Sequence, residues 1–281
     1  MSCPRVATPA ANSSRAAAAQ PVPLTQPLPA DAIRALFLPW THLMTLVFVH
    51  GSGGSAESFH YQLAAFPGSR AVTLPGHPDG DLLPSIALCA DWLHAEITRM
   101  GLADVVLAGH SLGGGIALRY ALDHPGQLRG LLLLGSGARL KVHPRYLEPL
   151  EAAVADPTRW NAAGGGFERI DPALAAVLNR RRIENGPRAM LNDMRACNDF
   201  DVMAEIGNIK LPTLALVGSE DVMTPPKYAT FLAAGMPNCR VEVIDGASHY
   251  GFAEQPDAFN TAIERFVSSL TAAQLPAGHR A

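Results

Sequence analysis

The sharpest chemical signal in the chain is a serine set between glycines. Gly109-His110-Ser111-Leu112-Gly113-Gly114 has the spacing G-x-S-x-G. It follows an apolar strand-like run, Val105 to Ala108, and precedes a helical one, Gly115 to Leu122. In so tight a strand-to-helix turn the serine hydroxyl is lifted above the sheet, and side chains at Gly109 and Gly113 would clash with neighbouring backbone. The helix beyond aims its unpaired N–H groups at any negative charge that develops there. A purely structural turn is the alternative reading of these glycines.

A serine hydroxyl is a poor nucleophile until a base removes its proton. Among ten histidines, His249 is preferred, because Asp245-Gly246-Ala247-Ser248-His249-Tyr250-Gly251 lies just after the last strand-like run and before the last helical one. A carboxylate must then fix the imidazole tautomer and stabilise the imidazolium. Asp221, in Gly218-Ser219-Glu220-Asp221, follows the Thr213 to Val217 run and fits that role, while its neighbour Glu220 reads as a solvated loop acid. The order Ser111, Asp221, His249 differs from those of the trypsin-like and subtilisin-like proteases. Acyl chemistry also needs an oxyanion hole. Its expected donors are the backbone N–H groups of Leu112, the residue after the nucleophile, and of Ser52, in His50-Gly51-Ser52-Gly53-Gly54. Phosphate binding is the rival reading of that loop, but it lacks Gly-Lys-Ser/Thr and proper G-x-G-x-x-G spacing.

The elements that must position these residues alternate along the chain. Thr45 to Val49, Ala71 to Leu74, Val105 to Ala108, Leu131 to Leu134, Thr213 to Val217 and Val241 to Ile244 are short, apolar and strand-like. Ser85 to Met100 and Phe259 to Leu270 carry apolar residues at helical spacing. Continuous apolar strands separated by helices imply an α/β fold, with a parallel sheet covered on both faces. Residues 139–208 are helical but less regular and read as a helical cap or lid; residues 31–138 and 209–281 form the core, and residues 1–30, rich in Ala and Pro, a disordered tail. A start of translation at Met44 is a second reading of that leader.

Composition narrows the rest. Of 281 residues, 48% are hydrophobic and 17% charged, and the net charge is −3. This excludes a highly charged disordered chain and gives no reason to expect nucleic acid or an anionic membrane as partner. No apolar run reaches the roughly 18 residues of a membrane span. Cys3, Cys89, Cys197 and Cys239 show neither disulfide nor zinc spacing, so free, mostly buried thiols in a reducing, cytoplasmic compartment are expected. Nothing demands a metal or an organic cofactor.

Together these loops resemble the signature loops of the α/β-hydrolase superfamily, in its serine-nucleophile, esterase- and lipase-like branch. Pro75-Gly76-His77 is similar to that family's Pro-Gly-His-Gly turn, with Pro78 in place of the final glycine, and Leu211-Pro212-Thr213 to its entry into the strand before the acid. The resemblance covers about Thr45 to Leu270 and implies the α/β-hydrolase fold, a three-layer αβα sandwich around a mostly parallel sheet, with a helical cap. It departs at the start, where Leu24 to His42 is a poor match for the usual opening hairpin. A serine at the elbow argues against the dehalogenases, epoxide hydrolases and dienelactone hydrolases of this fold, which use other nucleophiles.

The expectation is therefore a serine hydrolase acting on a small-molecule ester of a small to medium, mostly apolar acyl group. Met190, Met194 and Phe200, with Cys197 and Met203, are candidate pocket residues, although their helical spacing fits core packing equally well. Arg180, Arg181 and Arg182 read as a solvated face. Two alternatives stand: a carbon–carbon bond hydrolase or lactonase of aromatic degradation with the same triad, and a non-enzymatic small-molecule receptor on the same fold. The motifs name neither substrate nor oligomeric state.

Overall fold

A computed structural model describes residues 44–160 and 166–274. The expected tail and the poor hairpin segment fall outside the described residues, as do Cys3, Gly164 and Gly165. Among the described residues, six parallel strands make one sheet: β1 (Thr45–Val49), β2 (Arg70–Val72), β3 (Val105–His110), β4 (Leu128–Leu134), β5 (Thr213–Gly218) and β6 (Cys239–Ile244), in the order β2-β1-β3-β4-β5-β6. The helices are α1 (His60–Ala65), α2 (Ile86–Arg99), α3 (Leu112–Asp123), α4 (Pro144–Ala155), α5 (Pro172–Asp199), α6 (Pro226–Gly235), α7 (Gly251–Glu254) and α8 (Pro256–Gln274).

The period of two along a strand sorts its side chains into two layers. Val47, Val49, Leu107, Leu131, Leu133 and Val217 pack beneath α2, α3 and α6, with Leu93, Ile116 and Leu232 as partners. Leu46, Phe48, Val106, Leu132, Leu134 and Leu216 face the other way, onto Phe252, Phe259, Ile263 and Val267 of α7 and α8. Both faces of the central strands are covered, which is why their sequences read as unbroken apolar runs. The sheet and its two helical layers are the sandwich expected from the sequence. β4 starts at Leu128 rather than Leu131, because exposed Arg129, paired with Asp104 at 2.5 Å, interrupts its apolar pattern.

The segment between β4 and β5 carries α4 and α5. α5 is capped by Asp171, whose side chain accepts from the Ala173 and Leu174 N–H groups, and it breaks at Gly186 (φ 73°, ψ 176°) before Pro187. The arginine triplet in its first half is not one solvated face. Arg180 is exposed, Arg181 pairs with Glu57 and Glu184, and Arg182 is buried with its guanidinium 4.1 Å from the Phe167 ring centroid. Helical period alone could not place Phe167, which comes from the loop before α5. Cys89 and Cys197 are free and buried, and Cys239 is free and partly buried.

Because all strands run the same way, the loops after β1, β3, β4, β5 and β6 emerge at one edge. The chain leaves β1 for β2 on one side and returns to β3 on the other, so a crevice opens beyond the ends of β1 and β3.

Candidate active site

Ser111 lies in that crevice. Its backbone has φ 52° and ψ −113°, the sole positive φ among the described non-glycine residues. Strain of this kind is tolerated only where the surroundings over-determine it. Here the Ser111 N–H donates to Leu134 O at 3.0 Å and Ser136 Oγ donates to Ser111 O at 2.8 Å. The two glycines are required by close approach: a Cβ on Gly109 would lie 2.1 Å from Gly113 O, and one on Gly113 would lie 2.2 Å from Val49 O. α3 begins at the next residue, so the Leu112 N–H is a first-turn donor with no acceptor in its own helix.

His249 and Asp221 meet from the loops after β6 and β5. His249 Nδ1 is 2.8 Å from Asp221 Oδ2. That nitrogen carries the proton if the carboxylate is ionised, which leaves Nε2 as the basic nitrogen. Asp221 is held on all sides: the Met223 and Thr224 N–H groups donate to Oδ1 at 2.9 and 2.8 Å, and Thr224 Oγ1 donates to Oδ2 at 2.8 Å. Burial opposes its ionisation, but the bonds from His249 and Thr224 outweigh burial and hold the carboxyl below its usual range. Glu220, the rival acid, points away and pairs with Arg169 at 2.6 Å. His110 Nε2 donates to the His249 carbonyl at 3.0 Å, and its ring packs 4.7 Å from the His249 ring; burial, and after it the nearness of a second imidazole, keep it neutral.

The loop after β1 runs against the serine, so that a Cβ on Gly51 would lie 3.2 Å from Ser111 Cβ. The Gly51–Ser52 peptide is fixed through its carbonyl, which accepts from His50 Nδ1 at 2.8 Å and from the Gly54 N–H at 3.0 Å. In a trans peptide the N–H opposes the C=O, so anchoring Gly51 O turns the Ser52 N–H the other way. His50 can do this only when neutral, since its Nε2 accepts from the Leu74 N–H at 3.0 Å. Burial, and secondarily the charge of His77, lowers its pKa to about 4.

The candidate pocket residues separate. Met190 reaches this loop: a Cβ on Gly53 would lie 2.6 Å from Met190 Cε. Met194 is partly buried on the same helix. Phe200 is buried in the core, where a Cβ on Gly115 would lie 3.3 Å from its ring, and Cys197 is buried with its thiol pKa pushed up to about 12 by burial. Met203 instead lines a separate cavity of about 400 Å³ with Tyr228 and Phe231. Sequence reasoning missed Thr224, Ser136, His50 and His77 as structural partners of the site. The Asp-x-x-Thr spacing, a common local side-chain-to-backbone pattern, was the available signal for Thr224.

A strained serine after β3 and a carboxylate-oriented imidazole after β6 thus stand at one edge of the sheet, a pairing of residue types suited to nucleophilic acyl transfer. Known proteins resemble the chain over most of its length. The chain is 27% identical over 256 residues to a pimeloyl-[acyl-carrier protein] methyl ester esterase of Neisseria meningitidis, covering 84% of this chain and 94% of that protein. It is 28% identical over 243 residues to a putative carbamate hydrolase of Azorhizobium caulinodans, covering 78% of this chain and 89% of that protein. The solved structure of a thermophilic esterase superposes with a TM-score of 0.68 at 31% identity, over 80% of this chain and 90% of that one. The profile of the alpha/beta hydrolase family matches residues 46–262, which takes in every strand except the first residue of β1 and each of the loops just described. With that coverage, and with the elbow, acid and histidine loops in family order on the family's sheet, the chain belongs to the alpha/beta hydrolase family.

Proposed function

We propose that this protein is a serine hydrolase that cleaves carboxylic esters of small to medium, mostly apolar acyl groups through an acyl-enzyme on Ser111. The observation that carries the reading is the His249–Asp221 pair, 2.8 Å apart with the carboxylate buried, at the same sheet edge as a serine in a strained elbow. In this reading Ser111 Oγ attacks the ester carbonyl and His249 Nε2 takes the hydroxyl proton. The N–H groups of Leu112 and Ser52 stabilise the tetrahedral oxyanion. His249 returns its proton to the departing alkoxide, leaving an ester on Ser111. Water, deprotonated by His249, attacks that ester through a second oxyanion, and collapse expels Ser111 with its proton restored. Esterase relatives of comparable length support the bond cleaved. The segment 139–208 acts as the cap, with Met190 and Met194 facing the acyl group.

The test is turnover of p-nitrophenyl esters of graded acyl length, with a lactone and a vinylogous diketone alongside. Hydrolysis of short and medium esters, reduced by about four orders of magnitude in Ser111→Ala with the fold retained, is expected. Diketone cleavage without ester cleavage would favour the carbon–carbon hydrolase, and binding without any turnover the receptor.

A further inference from the structure

Beyond its break at Gly186, α5 presents Met190, Asp193 and Cys197 at spacings of three and four, along one side of the helix. This side lies on the loop after β1. Asp193 Oδ2 accepts from the Gly53 N–H at 2.8 Å and lies 2.9 Å from His77 Nε2. From the turn before it, Asn185 Nδ2 donates to Gly53 O at 3.1 Å and Gly54 O at 3.0 Å. Cys197 Sγ is 3.9 Å from Ser52 Oγ. Both the N–H and the C=O of Gly53, the residue after Ser52, are therefore held by α5.

An acid here is costly unless fully paired, because the Asp193 and His77 side chains are 5% and 2% exposed. Packing alone would be served by an apolar residue. The groups around the pair are the His50 ring, 5.0 Å from that of His77, the Cys89 and Cys197 thiols, which burial keeps protonated, and Glu57, itself paired with Arg181. Burial opposes protonation of His77, but its bond to Asp193 prevails and raises its pKa.

We propose that Asp193 is a positioning residue for the oxyanion loop: held by His77, its carboxylate fixes the Gly53 N–H, and with it the angle at which Ser52 presents its own N–H to the crevice. The inference rests on the reading of Ser52 as an oxyanion donor in ester hydrolysis. It also makes α5 more than a cover over the acyl group, because a shift of this helix would move the oxyanion hole.

Steady-state kinetics on p-nitrophenyl acetate test it, in Asp193→Leu, which fills the space without an acceptor, and in Asp193→Asn, whose amide oxygen can still accept from Gly53. Loss of about 10- to 100-fold in kcat, with KM changed by less than about threefold, is expected for the leucine variant, as for a misplaced oxyanion donor. The asparagine variant should keep kcat within about fivefold of the parent. If Asp193→Leu does not fold, the double variant His77→Leu/Asp193→Leu, in which an apolar pair replaces the polar one, takes its place with the same expectation. A folded leucine variant with the parent's kcat, a loss confined to KM, or an equal loss in the asparagine variant would overturn the proposal. Ser111→Ala, measured in parallel, keeps the two readings apart: if it retains ester turnover, the site assignment itself has failed.

Discussion

At the residue scale, the site is defined by who holds whom. Asp221 accepts four hydrogen bonds, from two backbone N–H groups, Thr224 and His249, and this fixes the imidazole more firmly than a lone contact would. Asp221→Asn keeps the shape but presents an N–H or a weaker acceptor to Nδ1, which favours the wrong tautomer. Its kcat should fall by about 10⁴. Glu220→Gln, which breaks only a surface pair with Arg169, should leave kcat within about twofold, since such pairs are worth little. Ester kinetics on the two variants distinguish adjacent acids that the sequence sets side by side.

At the element scale, the strand-to-helix elbow and the two halves of α5 do different work. Gly113 sits so close to Val49 O that Gly113→Ala must push α3 away from the end of β1; it should destabilise the fold by about 3 kcal/mol or more, read from urea unfolding. Phe200, just beyond α5, is buried among Ile86, Leu140 and α3. Phe200→Ala should therefore cost about 3–5 kcal/mol of stability while KM for short esters barely changes. The strands and the elbow were legible from sequence because each obeys a local rule: continuous apolar runs for buried parallel strands, and glycines at fixed offsets around Ser111. The face of α5 was not. Its methionines and cysteine read as an apolar stripe, and Asp193 within that stripe was passed over, because its partners Gly53 and His77 lie more than a hundred residues away. Long-range polar pairing leaves no periodic trace. Arg182 escaped because its ring partner, Phe167, comes from the loop before α5, outside any helical spacing.

At the scale of the whole molecule, buried histidines set the pH range of stability. His50 and His110 stay neutral in the folded chain, with pKa values below the ordinary 6.5, the former at about 4. Below 6.5 the unfolded chain binds protons that the folded one refuses, so stability falls as pH drops, with a limiting slope of about 1.4 kcal/mol per unit for each such group. Asp221, with its lowered pKa, adds a further loss through the carboxylate range. His77 has the opposite sign: its raised pKa contributes stability that is full below 6.5 and is lost as pH rises through its folded value. Thermal unfolding should thus give a Tm that peaks near pH 6.5, the ordinary histidine value from which the two opposing trends depart. The acid limb should become shallower in His110→Gln. A Tm flat from pH 4.5 to 7 would contradict the assignment of neutral buried histidines. Among the described residues no helix is long and apolar enough to cross a membrane.

The central claim, that Ser111 is the nucleophile oriented by the His249–Asp221 pair, is tested most directly by intact-mass and peptide mass spectrometry after reaction with a fluorophosphonate. A single phosphonyl group on the peptide containing Ser111, formed in step with loss of esterase activity and much more slowly in His249→Ala, is predicted. Full loss of activity with the adduct on another residue, or ester turnover that persists while Ser111 is fully modified, would contradict it.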